Sequence, residues 1–272
     1  MILKKFKKIY RILVPLNLTP NEIFENRLYQ NHLIKSVKKI NLVYELELLN
    51  GINVAVRDHK FSDLEVFEQI FNQEEYALIL KMFLTNNFFS EDKIIIDAGA
   101  NVGFTSVYFS HFLTNEKIFC VEPSPENIEM CSKNIQYLKN FKNIILYPNA
   151  LSEKPDMNYE IDRNFRDKKD WSITTSYATE GSIKGISIGE IISQNSLNHI
   201  SLLKIDIEGA ERFIFKAEND LSFLKITEII ALEIHDEFDI RTSITNLLVE
   251  HDFLVIESGE LTIGINKLKF NK

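Results

Sequence analysis

The spacing of the hydrophobic residues changes near residue 90. Beyond it, short apolar runs rich in Ile and Val alternate with segments whose apolar residues recur at helical spacing. Short β-branched runs are typical of buried strands, and their alternation with helices predicts a doubly wound, mostly parallel sheet of the α/β class. Helices are predicted at 102–113, 124–138, 187–195, 210–220 and 240–251. Strands are predicted at 93–100, 117–123, 143–151, 201–209, 227–235, 253–258 and 261–266, the last two as an antiparallel edge.

Residues 1–90 have a different pattern, and we expect them to form a helix and β-hairpin cap on a second domain at 91–272. Two alternating runs within 42–57 meet at Asn50-Gly51, a dipeptide that favours a two-residue hairpin turn. The segment 61–86 then predicts one long helix, capped by Ser62 or Asp63.

Two further segments are distinctive. Residues 1–16 sort apolar and basic side chains at helical spacing, which suits either weak contact with an anionic membrane surface or packing on the protein itself. Residues 152–186 are polar and interrupt the alternation, and a connection this long is usually functional or flexible. They hold the single tryptophan, Trp171, which suits stacking on a sugar ring or anchoring its own loop.

Composition narrows the possible functions. The 272 residues carry a net charge of −8, whereas proteins that grip nucleic acid usually present a basic surface, so we expect no nucleic-acid partner. Cys120 and Cys131 lie in apolar and helical patterns and are expected to be core thiols rather than a disulfide or a zinc site. No apolar run has the length of a spanning helix and no secretory signal is recognisable, so we expect a cytoplasmic protein.

A glycine-containing loop follows the strand that ends at Asp97. Gly99, Asn101 and Gly103 stand between this strand and the next helix, where backbone amides and close backbone approach suit a nucleotide-type ligand. The spacing differs from the Gly-x-Gly-x-x-Gly of dinucleotide sites. Glu122 ends the next strand and is placed to accept both hydroxyls of a ribose. Acidic residues favour a positively charged ligand, and the loop lacks the glycine spacing that holds a pyrophosphate. Both features favour S-adenosylmethionine, a cationic cofactor that contains no pyrophosphate.

Three segments in this order, IDAGANVGFTS, VEPSPENIEMCSKNI and LLKIDIEGAE, resemble the FkbM-type S-adenosylmethionine-dependent methyltransferases. FEQIFNQEEY upstream and LEIH downstream extend the resemblance to roughly residues 60–240. It implies a seven-stranded, Rossmann-like methyltransferase sheet and O-methylation of sugars, lipids or polyketide-like metabolites. It also implies that Asn149 lies near the adenine. Ser187-Ile188-Gly189 stands where the family often has Thr-Leu-Asp, so we expect no site residue there.

A second group of polar residues lies in the strand predicted at 201–209. Alternation places Lys204, Asp206 and Glu208 on one face, at the carboxyl end of a central strand where α/β proteins bind ligands. A buried carboxylate can accept the proton of an acceptor hydroxyl. We therefore expect Asp206 or Glu208 to be a general base or to orient one, with Lys204 or His235 nearby.

Other interpretations of these residues stay open. Glu211 suits a helix cap better than a catalyst, Lys204 suits an ion pair with Asp206, and His235 suits a structural role. Asp206, Glu208 and Glu233 together could hold a divalent cation, although our leading expectation includes no metal.

The leading hypothesis is an O-methyltransferase that acts on a small molecule, expected to be a saccharide or glycoconjugate. The alternatives are a nucleotide-dependent oxidoreductase on a Rossmann-like sheet and a non-catalytic partner subunit that retains the methyltransferase fold. The oligomeric state is open.

Overall fold

The computed structural model describes residues 18–85, 92–113, 115–162 and 174–269, which form an α/β fold. The basic segment at 1–16, Trp171 and the predicted domain boundary at residue 90 lie outside the described residues. Within them, no helix is both long enough and apolar enough to cross a membrane.

The N-terminal cap contains helix α1 (Pro20–Gln30) and a three-stranded antiparallel sheet, β1 (Ile34–Ile40), β2 (Val43–Leu48) and β3 (Asn53–Arg57). The sequence pattern predicts the second and third strands but not β1, whose lysine-rich residues are largely exposed. The predicted two-residue turn is wrong. Such a turn needs a positive φ at both central residues, but Asn50 has none and Gly51 alone has it, at 88°. The loop contains three residues, Leu49 to Gly51, because Leu48 pairs with Ile52.

The single long helix expected at 61–86 is broken in the structure. Helix α2 (Asp63–Phe67) continues as a π-helical turn (Glu68–Asn72), and helix α3 (Ala77–Thr85) begins only after an interruption. Glu74, inside the interruption, has a φ of 52°, which no helix accommodates. The break turns the chain so that Glu75 and Tyr76 face the main sheet.

The rest of the chain alternates strands and helices much as predicted. In chain order it contains β4 (Lys93–Ala98), α4 (Phe104–Phe112), β5 (Glu116–Val121), α5 (Pro125–Gln136), β6 (Ile144–Tyr147), β7 (Ala150–Ser152), β8 (Asn158–Asp162), β9 (Thr174–Tyr177), β10 (Ile183–Ser187), α6 (Ile188–Asn195), β11 (Ile200–Ile205), α7 (Glu211–Ile214), β12 (Thr227–Glu233), α8 (Arg241–Glu250), β13 (Phe253–Ser258) and β14 (Leu261–Asn266).

Seven of these strands form the main sheet, in the order β13-β14-β12-β11-β4-β5-β6. Strands β12, β11, β4, β5 and β6 are parallel, and β14 pairs antiparallel with both β12 and β13. The predicted doubly wound sheet with an antiparallel edge is therefore confirmed. The chain proceeds from β4 toward one edge and returns through β11 toward the other, so the order reverses between β4 and β11.

Three predicted elements differ substantially from the structure. The strand expected at 201–209 ends at Ile205, so Asp206 and Glu208 lie in the turn after β11 and not on one strand face with Lys204. The strand expected at 143–151 divides into β6 and β7 at Pro148, which has no amide hydrogen to continue the ladder. After it, β7 joins a separate four-stranded sheet, ordered β7-β10-β8-β9, in the segment predicted as a long connection. The helix expected at 210–220 ends at Ile214. The Asn219 side chain donates hydrogen bonds to the Phe213 and Ile214 carbonyl groups at this end.

Apolar residues cover both faces of the main sheet. Alternate residues of the same strand belong to different core clusters, as Ile95 and Ile96 of β4 do. The first cluster also contains cap residues such as Tyr44 and Phe67, so the cap covers one face of the sheet. Cys120 and Cys131 are buried free thiols, as the sequence predicts.

Buried polar contacts attach the cap to helix α5. Arg57 forms an ion pair with Asp63 at 2.6 Å and donates to Asn127 Oδ1 at 2.9 Å, and all three side chains are buried. Asn134 accepts from the Ala55 amide at 2.6 Å. A buried charge is tolerated only with such partners, so these bonds fix where the cap sits.

We predict that Asp63→Ala lowers the free energy of unfolding by about 3 kcal/mol or more, because it leaves the Arg57 guanidinium buried without its ion-pair partner. Urea unfolding monitored by circular dichroism measures this change. The control is Glu47→Ala, which removes the partner of the exposed Lys35 and should cost less than about 1 kcal/mol. Equal losses in the two variants would contradict the prediction.

Candidate active site

A cavity of about 310 Å³ opens at the carboxyl ends of the parallel strands, where the strand order reverses. Doubly wound proteins bind ligands at this position. Residues from the cap, the main sheet and the β13–β14 turn contribute to its wall. Its polar side chains belong to Gln69, Glu75, Tyr76, Asn101, Thr105, Glu122, Asn127, Lys204, Asp206, Glu208, Glu233 and Glu260.

The predicted glycine loop forms one wall of the cavity. Gly99 has a φ of 78°, and its amide donates to the Val121 carbonyl group at 2.9 Å. A Cβ atom at Gly99 would overlap the backbone carbonyl group of Asp206, so this close approach of two strand ends requires glycine. Gly103, with a φ of 83°, starts helix α4 against Cys131 and does not line the cavity.

Glu122 lies in the cavity wall with its carboxylate held by three donors. The backbone amides of Asn101 and Ser124 donate to it at 3.0 and 2.9 Å, and Asn127 Nδ2 donates at 3.3 Å. Burial raises the pKa of the Glu122 carboxyl, while these hydrogen bonds oppose the shift. The bonds orient the carboxylate beside the glycine loop, and its role in binding a ribose stays a prediction.

Lys204 joins the two central strands. Its Nζ donates to the Gly99 carbonyl oxygen at 2.6 Å and lies 3.2 Å from Asp97 Oδ1 and 3.7 Å from Asp206 Oδ2. Burial lowers the pKa of Lys204, but the charges of Asp97 and Asp206 outweigh burial and raise that pKa above its ordinary value. These charges favour the protonated form of Lys204, and the open expectation of an ion pair with Asp206 agrees with this geometry.

Asp97 is fully buried behind the loop instead of facing the cavity. Besides Lys204, it contacts Ser106, whose hydroxyl donates to Asp97 Oδ2 at 2.8 Å. This arrangement ties the end of β4 to helix α4 and to β11. The contribution of Asp97 to ligand binding would be to position the loop.

His235 follows strand β12 and is surrounded by carboxylates. Its Nε2 lies 3.3 Å from Glu208 Oε2, and its Nδ1 lies 3.3 Å from Glu211 Oε1. Burial lowers the pKa of His235, but the two carboxylates more than offset it and raise the pKa to about 10. Glu211 also accepts from the Ile207 amide at 3.0 Å and begins α7, in agreement with a capping role.

Glu233 faces Asp206 across the same part of the cavity. The charge of Asp206 is the largest cause that raises the pKa of Glu233, to about 9, with burial next. Glu208 adopts a φ of 54°, a conformation that residues other than glycine rarely take, and this places its carboxylate beside His235. Four acidic side chains and one buried lysine thus meet at the ends of β11 and β12, namely Asp206, Glu208, Glu211, Glu233 and Lys204.

Sequence reasoning missed the residues that reach the cavity from outside the main strands. Gln69 Nε2 donates to Glu75 at 3.0 Å and to Glu260 at 3.3 Å, and burial followed by the charge of Asp206 raises the pKa of Glu75 to about 7. Gln69 and Glu75 lie in the segment FEQIFNQEEY, which the resemblance included. The local pattern predicted a continuous helix there, and so it gave no indication of the turn that exposes Glu75 to the cavity.

The predicted site residues are thus divided between the cavity wall and its support. Asn149 belongs to neither group, because its side chain donates to the Lys184 carbonyl group at 3.1 Å. Ser187, where no site residue was expected, caps α6 in a capping box with Glu190. The wall contains Gly99, Asn101, Glu122, Lys204, Asp206 and Glu208, whereas Asp97, Gly103 and His235 lie behind it.

Comparisons with known proteins agree with this architecture. A family model described as the methyltransferase FkbM domain matches residues 97–255, more than half of the chain. Hexuronic acid methyltransferase AglP of Haloferax volcanii is 25% identical over 179 residues, which are 61% of this chain and 70% of that protein. Methyltransferase 1 of Beauveria bassiana is 22% identical over 184 residues, 58% of this chain and 72% of that protein.

Among solved structures, the methyltransferase FkbM from Methylobacillus flagellatus KT is similar with a TM-score of 0.44 and 14% identity. The match covers 65% of this chain and 44% of that chain. The matched part is therefore less than half of that protein's length.

We predict that Gly99→Ala destabilises the protein far more than Gly51→Ala. Both positions have a similar positive φ, which costs an alanine roughly 1–2 kcal/mol. A Cβ atom meets open space at Gly51 but overlaps Asp206 at Gly99. Thermal unfolding of the two variants isolates this overlap, and equal melting temperatures would show that the strand ends are not so closely apposed.

Proposed function

The chain belongs to the FkbM methyltransferase family, and on that premise we propose that it transfers a methyl group from S-adenosylmethionine to a hydroxyl group of a saccharide or glycoconjugate. The observation that carries this proposal is the acidic cavity at the reversal point of the sheet, bounded by the Gly99 loop and Glu122.

The donor set of the cavity suits this cofactor. Glu122 is held in an orientation that would accept the two ribose hydroxyl groups, and the loop from Gly99 to Asn101 brings backbone close to the ligand without a pyrophosphate cradle. Bound there, S-adenosylmethionine would supply an electrophilic methyl group on a cationic sulfonium. The excess of carboxylates over Lys204 in the wall favours a ligand of that charge.

Methyl transfer to a hydroxyl group also requires a base that accepts the hydroxyl proton. Asp206 and Glu208 both line the cavity beyond the loop, and we assign the general base to one of them. Lys204 holds Asp206 and His235 holds Glu208, so both carboxylates are oriented before an acceptor arrives. Positioning the acceptor oxygen in line with the transferred methyl then contributes much of the rate enhancement.

The saccharide acceptor is supported by the name of the Haloferax relative, which describes a hexuronic acid methyltransferase. At 25% identity this supports a class of acceptor and not a particular sugar. The cap and the β13–β14 turn provide Gln69, Glu75 and Glu260 at the open side of the cavity, where their polar groups would bind acceptor hydroxyls.

Two other functions fit the cavity less well. A nucleotide-dependent oxidoreductase would use the same edge of the sheet, but the loop lacks the dinucleotide glycine spacing. A non-catalytic subunit would have no need for oriented carboxylates beside the loop. Titration with reduced nicotinamide cofactor, followed by fluorescence, should therefore give no binding.

The cofactor assignment is tested by isothermal titration calorimetry with S-adenosylmethionine. We expect binding by the wild-type protein and an affinity about tenfold or more lower in Glu122→Gln, because a hydrogen bond to a charged group contributes roughly 1.5–3 kcal/mol. Glu129→Gln makes the same change on the exposed side of α5 and should bind normally. A wild-type protein that releases no heat of binding would overturn the proposal.

Methyl transfer is tested by incubating the protein with labelled S-adenosylmethionine and extracted cell glycans, followed by mass spectrometry. Glu208→Gln should lower the rate by roughly 10²–10⁴ if this residue is the base, and leave cofactor affinity nearly unchanged. Asp206→Asn tests the other candidate in the same way. If neither change slows transfer, the assignment of the base is wrong. Label found only on proteins or nucleic acids would contradict the proposal that the acceptor is a saccharide.

A further inference from the structure

A buried imidazole and two carboxylates converge at the ends of β11 and β12, where Asp206 and Glu233 line the cavity and His235 lies behind its wall. Asp206, Glu233 and His235 each offer one ligand atom, and these three atoms all lie within 4.8 Å of one another. His235 is only 2% exposed, and its ring nitrogens lie 3.3 Å from Glu208 Oε2 and Glu211 Oε1 without forming a hydrogen bond of good geometry. We propose that these three side chains bind a divalent cation.

The chemistry of the ligands limits the choice of ion. Two carboxylates and an imidazole suit Mn²⁺, Fe²⁺ or Zn²⁺ better than Ca²⁺ or Mg²⁺, which prefer oxygen ligands alone. Neighbouring ligands of an octahedral ion are about 3 Å apart, so small side-chain rotations would close the cluster around one. The sequence had suggested Glu208 as the third ligand, whereas the structure brings His235 into that place.

The charges around the cluster favour an additional cation. Lys204 is the only lysine or arginine in the described cavity wall, and it lies closer to Asp97, at 3.2 Å, than to Asp206, at 3.7 Å. It therefore offsets only part of the charge of Asp206. Glu233 lies beyond it, 3.9 Å from His235 Nε2.

A neighbouring group of carboxylates is a weaker candidate. Glu75, Glu233 and Glu260 also offer atoms within 4.8 Å of one another. However, Gln69 already donates to Glu75 and Glu260, and Glu260 is exposed to solvent, where water competes for the ion. The group that contains the buried imidazole is thus the better site.

The role of the cation rests on the proposed function. A hydroxyl oxygen that binds the ion becomes more acidic, because the positive charge stabilises the alkoxide. The O–H bond would break, the proton would pass to Glu208, and the electron pair kept by the oxygen would form the new O–CH₃ bond. The methyl–sulfur bond would break at the same time, and S-adenosylhomocysteine would leave with that electron pair as a neutral thioether. Asp206 would then hold the ion, and Glu208 would be the base.

The experiment titrates the full chain, stripped with a chelator and dialysed, with Mn²⁺ alone and follows free Mn²⁺ by electron paramagnetic resonance. We expect one bound ion per chain. Loss of a group that merely orients a ligand lowers metal affinity about 10- to 100-fold, so Asp206→Asn and Glu233→Gln should each lower it at least tenfold. Glu257→Gln, near Arg241 and outside the cavity, should bind as the wild type does.

A spectroscopic measurement distinguishes this site from loose binding to an acidic surface. Pulsed electron paramagnetic resonance of the bound Mn²⁺ should detect a directly coordinated nitrogen, and His235→Gln should abolish that signal. Circular dichroism verifies that each variant is folded, and the two carboxylate variants test the site independently of the histidine. Absence of Mn²⁺ binding, or binding without a nitrogen signal, would overturn the inference.

The same samples separate this inference from the proposed function. If S-adenosylmethionine binds in calorimetry while Mn²⁺ does not, the cation site is rejected and the proposed function stands. If Mn²⁺ binds with a nitrogen signal but S-adenosylmethionine does not, the cation site is supported and the cofactor assignment is rejected.

Discussion

One buried ammonium group determines how the centre of the molecule is arranged. Lys204 reaches from β11 to the Gly99 carbonyl oxygen and lies between Asp97 and Asp206. A charge removed from water is tolerated only when its partners are close and fixed. The end of β4, the glycine loop and the turn after β11 must therefore keep their relative positions. The cavity exists because these two strand ends are held together at the point where the sheet reverses its order.

Distant parts of the chain complete the cavity around this centre. On one side, Arg57 of the cap contacts Asn127, which in turn donates to Glu122. On the other side, Gln69 of the π-helical turn links Glu75 to Glu260 in the β13–β14 turn. The cap is thus a part of the cavity wall as well as a cover for one face of the sheet. The contacts from Arg57 through Asn127 to Glu122 are buried, whereas the bond from Gln69 to Glu260 is exposed.

The sequence predicts those features whose cause is local. Strands such as β4 and β11 are short β-branched runs, and site residues such as Glu122 and Asp206 follow directly where those runs end. It does not predict β1, because lysine-rich edge strands have no apolar alternation, or the break near Glu74, because helical spacing continues on both sides of it. It also cannot indicate that Glu75 meets Glu233, since that contact depends on how separate elements pack.

The bond between Arg57 and Asn127 limits how proteins with this architecture can diversify. A cap transplanted from a relative without an arginine at this position would leave Asn127 Oδ1 buried without its hydrogen bond. Because Asn127 Nδ2 donates to Glu122, this change would also disturb the orientation of Glu122. Exchange of a whole cap would thus disturb the cavity wall beside Glu122. Gradual substitution within an inherited cap would avoid this disturbance as long as Arg57 and Asp63 are kept.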